Sequence, residues 1–156
     1  MIYRLERTTL LRARRAEAFS FFADAHNLEQ ITPDSLGFHI LTPDPIVMRA
    51  GTLIDYELTL HGIRMKWRTL IEEFVEGEYF VDLQLSGPYR LWRHRHEFRD
   101  IAEGTQMIDR VDYELPFGPL GRVVRRLFVR RSLEQIFDYR SKAIAGYFNT
   151  DDPKAK

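Results

Sequence analysis

The chain has 156 residues, of which 44% are hydrophobic and 29% are charged, a balance typical of a water-soluble globular domain that buries its own core. The lack of cysteine excludes disulfides, thiolate metal sites and a cysteine nucleophile. The 23 basic and 23 acidic residues cancel, which argues against nucleic acid as a partner. No stretch is apolar enough for a membrane span, and charges interrupt the opening "MIYRLERTTLLRARRAEAF", so we expect a cytoplasmic protein.

We predict one ligand-binding domain over residues 1–150, followed by a polar tail over residues 151–156. Residues 2–12 have the pattern of a strand, and "RRAEAFSFFADAH" then carries apolar residues at helical spacing. Residues 27–32 extend this helical region by a turn or two before prolines interrupt the chain. The chain therefore begins with a strand and a short helix.

The middle of the chain alternates between apolar and polar residues. In "LIDYELTL" the apolar residues recur at every second position, His61-Gly62 marks a turn, and "RMKWRTLIEEF" returns with Met65, Trp67 and Ile71 on one face. Two more runs, 89–99 and 105–115, alternate in the same way. This pattern predicts a long antiparallel meander with one face buried and one in water.

The last third reads as a helix from Pro119 to Phe148, because apolar residues recur every three or four positions. Its apolar stripe changes side near residue 130, and Ser132 with Gln135 has capping-box spacing, which leaves a break there open. These elements predict an α+β fold in which a curved sheet wraps around the long helix. Because the two surfaces cannot touch everywhere, we expect an apolar cavity between them.

The order of these segments resembles a known superfamily. The segments are "AEAFSFFADAHNLEQITPDSLGF", "GTLIDYELTLHGIRMKWRTLIEEF", "GPYRLWRHRHEF", "GTQMIDRVDYELPFG" and "LFVRRSLEQIFDYR". Together they are similar to the helix-grip superfamily of START lipid-transfer domains, the birch-pollen allergen and bacterial polyketide cyclase/dehydrase-like proteins. The likeness is greatest to bacterial ligand-binding SRPBCC proteins. It covers residues 3–148 and implies a deep hydrophobic ligand cavity between sheet and helix.

The segment "GPYRLWRHRHEFRD" contains two histidines separated by one residue. If residues 89–98 form a strand, one face carries Tyr89, Leu91, Arg93, Arg95 and Glu97. The other face carries Arg90, Trp92, His94, His96 and Phe98. Burying three charged side chains is costly, whereas burying each large apolar side chain stabilises by about 1.5–3 kcal/mol. We therefore expect the histidine face to point into the cavity.

The next run places Met107, Asp109, Val111 and Tyr113 on its apolar face. Since facing residues of antiparallel strands share a side of the sheet, Asp109 is expected beside His94 or His96. A carboxylate next to an inward histidine is the strongest chemical signal in the sequence.

Four interpretations of this group remain open. His94, His96 and Asp109 could bind zinc, but no fourth inward ligand is evident, so we expect no metal and no cofactor. They could instead be the catalytic residues of a polyketide cyclase/dehydrase-type enzyme, with Tyr113 and Arg90 polarising a substrate carbonyl. They could be a buried structural pair. We favour a polar patch in a binding cavity, where they contact a ligand head group.

The favoured interpretation predicts binding of a hydrophobic or amphipathic small molecule such as a lipid, polyketide or isoprenoid, with possible transport or sequestration. The predicted ligand-binding residues are Tyr56, Leu58, Met65, Trp67, Arg90, Trp92, His94, His96, Phe98, Asp109, Val111 and Tyr113.

The segment "RVVRRLFVRR" has the pattern of a basic amphipathic helix with Arg122, Arg125 and Arg126 on its polar side. The simpler interpretation is a solvated helix face. The alternative is weak contact with an anionic membrane or a partner protein, without stable membrane insertion.

Overall fold

A computed structural model describes residues 1–60, 62–116, 118–124 and 128–149, without the side chain of Arg122. The strands are β1 (Tyr3–Leu11), β2 (His39–Ile40), β3 (Leu53–Leu60), β4 (Ile63–Val75), β5 (Tyr79–Ser86), β6 (Leu91–Ile101) and β7 (Gly104–Glu114). The helices are α1 (Arg15–Phe22), α2 (Asn27–Gln30), α3 (Gly118–Val124) and α4 (Arg130–Asn149), with a 3₁₀ turn at Asp34–Leu36. The predicted turn residue His61 and tail 151–156 lie outside the described residues.

The strands form one antiparallel sheet in the order β1-β7-β6-β5-β4-β3-β2. The chain runs along this sheet as a meander from β2 to β7, and β1 then pairs with β7 at the far edge. The predicted α+β fold with a curved sheet around a C-terminal helix is confirmed. Among the helices described, none is long and apolar enough to cross a membrane.

Strand β5 is the element that the sequence pattern did not predict. Its sequence "YFVDLQLS" has two adjacent buried residues, Phe80 and Val81, followed by the acidic Asp82, so it lacks a clean alternation. The register between β4 and β5 shifts between Arg68 and Thr69 and again between Ile71 and Glu73, as at β-bulges.

Helix α4 packs across the sheet through Leu133, Phe137, Arg140 and Ile144, its buried residues. Their spacing of three or four residues places them on one helix face. The helix is continuous through Ser132 and Gln135, so the break considered there does not occur. Within the predicted helix from Pro119 to Phe148 the structure describes α3 and α4, and residues 125–127 between them lie outside the described residues.

Gly104 occupies a position where a side chain has no room. Its φ is +141°, and a Cβ there would overlap the backbone carbonyl oxygen of Leu11 on the neighbouring strand β1. We expect Gly104→Ala to lower the free energy of unfolding by about 2 kcal/mol or more, measured by urea unfolding. Gly146→Ala is the control, because its Cβ meets nothing within 4 Å and alanine favours a helix by up to about 1 kcal/mol. Equal stability of the two variants would contradict this account.

Candidate functional site

A cavity of about 180 Å³ lies between the sheet and α4. Side chains from β3, β4, β5, β6 and α4 line it, and the segment from the end of α1 to β2 closes one side. The apolar residues that line its sheet side include Ile54, Tyr56, Leu58, Trp67, Ile71 and Phe80. The cavity predicted from the fold is therefore present.

An aromatic group forms one wall of the cavity. The Trp67 ring stacks on Tyr56 at a centroid distance of 5.8 Å and meets Trp92 edge-on at 5.4 Å. Tyr89 packs against both tryptophans, at 5.7 and 4.8 Å. Such tilted and stacked contacts hold the rings in fixed orientations, so this wall is a preformed apolar surface.

In contrast to the aromatic wall, the base of the cavity is polar, because five polar residues cluster there. Asp82 comes from β5, His94 and His96 from β6, Asp109 from β7 and Arg140 from α4. The register pairs Asp82 with His94 and His96 with Asp109, so the strand side chains lie side by side on the inner face. The pairing of Asp109 with a histidine follows the sequence-based expectation.

One oxygen of Asp109 binds both imidazoles. The Asp109 Oδ1 atom is 2.8 Å from His94 Nε2 and 3.0 Å from His96 Nδ1. The other nitrogen of His96, Nε2, is 2.9 Å from Asp82 Oδ2, whereas His94 Nδ1 is 3.9 Å from that oxygen. Arg140 Nη2 lies 3.7 Å from Asp109 Oδ1. His96 therefore bridges two carboxylates, and Arg140 adds a positive charge behind them.

The geometry determines the charge of each group. Burial alone would lower the pKa of His96, but hydrogen bonds to Asp109 and Asp82 raise it above its ordinary value. Burial and the charge of His96 lower the pKa of His94, which keeps that ring neutral. Burial would raise the pKa of Asp109, but Arg140 and the two histidines hold it well below its usual range.

The pKa of Asp82 is also lowered, because its hydrogen bond to His96 and the nearby positive charges outweigh the effect of burial. Two carboxylates thus face two imidazoles and one guanidinium. Each buried carboxylate has hydrogen-bonding or cationic partners, which is the condition under which buried charges are tolerated.

The structure brings half of the predicted ligand-binding residues to the cavity. The residues that line it are Tyr56, Leu58, Trp67, Trp92, His94 and His96. The predicted residues that do not are Met65, Arg90, Phe98, Asp109, Val111 and Tyr113.

These six residues lie outside the cavity lining, and a role for them in ligand binding stays a prediction. Arg90 precedes β6, where its side chain is 72% exposed and pairs with Glu114, and Tyr113 is buried in a core cluster. Phe98 and Val111 are used in core packing. Asp109 sits behind the histidines and acts on the cavity only through them.

Sequence reasoning missed two members of the cluster, Asp82 and Arg140. Asp82 lies on the unpredicted strand β5. Arg140 was not predicted to be buried because it is charged, although its spacing from Phe137 and Ile144 places it on the buried stripe of α4. That spacing was the one signal available for Arg140.

Asp82, His94 and His96 could hold a divalent cation such as zinc. Their ligand atoms lie within 4.8 Å of one another, and Asp109 binds the far side of both imidazoles, as carboxylates often do behind metal-ligating histidines. This set differs from the one considered from the sequence, in which Asp109 was the third ligand. To bind a metal through Nε2, His96 would first have to lose the proton it donates to Asp82.

The predicted contact between the basic segment and an anionic membrane stays a prediction. Arg125 and Arg126, together with the side chain of Arg122, lie outside the described residues.

An antiparallel sheet that encloses a cavity with a C-terminal helix defines a helix-grip protein that binds small ligands. A family model described as polyketide cyclase/dehydrase and lipid transport matches residues 11–138, and the chain belongs to this family. The resemblance drawn from the sequence segments is thereby confirmed. A search of the curated proteins finds no match.

Solved structures share the fold at low sequence identity. The Zhui aromatase/cyclase from Streptomyces sp. R1128 has a TM-score of 0.74 and 13% identity, over 94% of this chain and 93% of that one. Protein CV1439 from Chromobacterium violaceum has a TM-score of 0.70 and 15% identity, over 96% of this chain and 98% of that one. Major latex-like protein 151 from Panax ginseng has a TM-score of 0.66 and 12% identity, over 95% of this chain and 98% of that one.

Asp109→Asn tests the central role of this carboxylate. Removing one partner of a buried ionic group leaves the others uncompensated, so we expect the free energy of unfolding to fall by about 3 kcal/mol. Because folding lowers the pKa of Asp109, its stabilisation is present above the unfolded pKa and disappears as the pH falls through the folded pKa. The variant should lack this acid-dependent loss in urea unfolding measured across pH.

The matched control is Asp138→Asn, at an exposed position of α4, which should change stability little. If both variants unfold alike at every pH, Asp109 has no special role.

Proposed function

We propose that the protein binds a compact hydrophobic small molecule in this cavity and carries or sequesters it. The observation that supports the proposal is the cavity itself, which has aromatic and aliphatic walls and a hydrogen-bonded polar cluster at one end. Mostly apolar pockets with a few convergent polar groups are typical ligand sites. Membership of the family supports ligand binding in general.

The size of the cavity limits the ligand. An apolar cavity of about 150 Å³ accommodates benzene, and this one measures about 180 Å³. A one-ring or two-ring molecule is therefore the best match, whereas a long acyl chain or a multi-ring polyketide would require the cavity to open. Of the classes expected from the sequence, small aromatic polyketides and short isoprenoids fit better than extended lipids.

A second candidate is an enzyme of cyclase or dehydrase type. It is favoured by one observation: the neutral ring of His94 lines the cavity and is held by Asp109 at 2.8 Å, the arrangement of an oriented general base. One structural neighbour is named an aromatase/cyclase. Loss of turnover in His94→Gln, with ligand affinity retained, would favour the enzyme over the carrier. A cytoplasmic location stays a prediction for both candidates.

Native mass spectrometry of the protein purified from its host tests the carrier proposal. We expect an added organic mass that is released on denaturation. Ile54→Phe should reduce the occupied fraction about tenfold or more, because Ile54 is buried on the cavity wall and the larger ring fills that space. Leu85→Phe is the control, since Leu85 is exposed and outside the cavity, and it should retain wild-type occupancy.

Equal occupancy in Ile54→Phe and wild type would place the ligand elsewhere. A wild-type protein recovered empty would count against a carrier and favour the enzyme.

A further inference from the structure

Two hydrogen-bond donors on the cavity wall have no partner among the described residues. They are the indole nitrogen Nε1 of Trp67 and the guanidinium nitrogen Nε of Arg140. Both side chains are more than nine-tenths buried, with Trp67 5% and Arg140 7% exposed, and both residues line the cavity. Among the described residues, no other buried side-chain nitrogen lacks an acceptor.

An unpaired buried donor is costly, at about 1–3 kcal/mol for each group. The indole N–H and the guanidinium N–H groups can only donate, so neither can be satisfied by rotating into an acceptor role. Three aromatic rings, those of Tyr56, Tyr89 and Trp92, pack against the Trp67 ring, and its Nε1 has no acceptor among the described residues. The rings of Phe22 and Phe137 flank the Arg140 guanidinium, and the polar atoms near it, His96 Nδ1 at 3.4 Å and Asp109 Oδ1 at 3.7 Å, face Nη2 and leave Nε without an acceptor. An acceptor for these two nitrogens must therefore come from outside the described residues.

The charge of the cluster limits what kind of acceptor this is. Both carboxylates of the cluster lie close to His96, at 3.0 Å for Asp109 and 2.9 Å for Asp82, and Arg140 Nη2 lies 3.7 Å from Asp109. An acceptor that binds Arg140 would therefore lie close to two buried carboxylates. A ligand carboxylate would add a third negative charge to this buried group, whereas a carbonyl oxygen accepts a hydrogen bond without adding charge.

We propose that the ligand is an uncharged one-ring or two-ring compound whose acceptor oxygens, of ketone or lactone type, bind Trp67 Nε1–H and the Arg140 guanidinium. The inference rests on the proposed function, since it names the class of molecule that the cavity takes. Trp67 and Arg140 then determine the specificity for acceptor oxygens, and the aromatic wall contributes affinity that depends only on the apolar area buried by the ligand's rings.

A matched set of two-ring probes tests the class of ligand. The probes are tetralin, which has no oxygen, 1-tetralone, which adds one carbonyl, and 1,2,3,4-tetrahydro-1-naphthoic acid, which adds a carboxylate. Isothermal titration calorimetry on the intact chain should show 1-tetralone binding roughly tenfold tighter than tetralin, the value of about one net hydrogen bond. The acid should bind more weakly than the ketone.

Trp67→Phe removes the donor and keeps an aromatic ring. We expect its ketone-to-hydrocarbon affinity ratio to fall to about one if the single carbonyl of 1-tetralone pairs with Trp67. Arg140→Lys keeps the positive charge near Asp109 and tests Arg140 as the partner of the carbonyl. If the carbonyl pairs with Arg140, the ketone-to-hydrocarbon affinity ratio should fall in this variant instead. Trp92→Phe is the matched control on the same wall, where both affinities should fall together and the ratio should persist.

The outcomes separate this inference from the proposed function. If no probe binds, the proposed function fails, and this inference fails with it. If tetralin and 1-tetralone bind equally well to the wild type, the cavity binds small molecules but the assignment of the donors is wrong. Tightest binding of the acid would contradict the requirement for an uncharged ligand. A ketone preference that survives in both Trp67→Phe and Arg140→Lys would also overturn the inference.

Discussion

Asp109 accepts hydrogen bonds from His94 and His96 through one carboxylate oxygen, and the guanidinium of Arg140 faces the same oxygen from α4. These contacts connect the sheet to the helix through charge as well as through apolar packing. They orient both imidazoles, and the pKa of His96 is raised whereas that of His94 is lowered. Without a buried carboxylate at this position, two histidines and an arginine would share a pocket with only Asp82 to balance them.

The cluster also explains why the helix and sheet leave a space between them. On either side of the polar residues, the interior is filled by apolar packing, with Phe19 and Phe98 in one cluster and Val111 and Phe137 in the other. The charged side chains keep their own hydrogen-bond geometry and do not close against the aromatic wall around Trp67. The result is a cavity that is apolar on one side and polar on the other, which suits a ligand with a ring and an oxygen.

Much of this fold could be predicted from local pattern. The alternation in β3 and β4 gave the inner positions of Tyr56 and Trp67, and charge alone oriented β6, since Arg93 and Arg95 could not be buried together with Glu97. The failures have physical causes. Strand β5 has an inward Asp82 in place of an apolar residue, so its alternation is hidden, and the compensating charges come from other strands. A pattern within one segment cannot show a partner supplied by tertiary contacts.

The errors at the site follow from the same limit. Alternation assigned Arg90 to the inner face, but the position precedes β6, and the side chain turns outward to Glu114. Asp109, Phe98 and Val111 do face inward, yet they are covered by other side chains and so do not reach the cavity. Facing the core and facing a ligand are different properties, and only the packing of α4 against the sheet distinguishes them.

The most direct test of this account is the NMR signal of the indole N–H groups, because the chain has only two tryptophans and both line the cavity. On titration of ¹⁵N-labelled protein with 1-tetralone, the Trp67 indole proton should move downfield as its hydrogen bond forms, while the Trp92 signal shifts less. Tetralin should perturb both signals without that downfield movement. A Trp67 indole proton that does not respond to saturating ketone would contradict the central claim that the ligand completes this buried site.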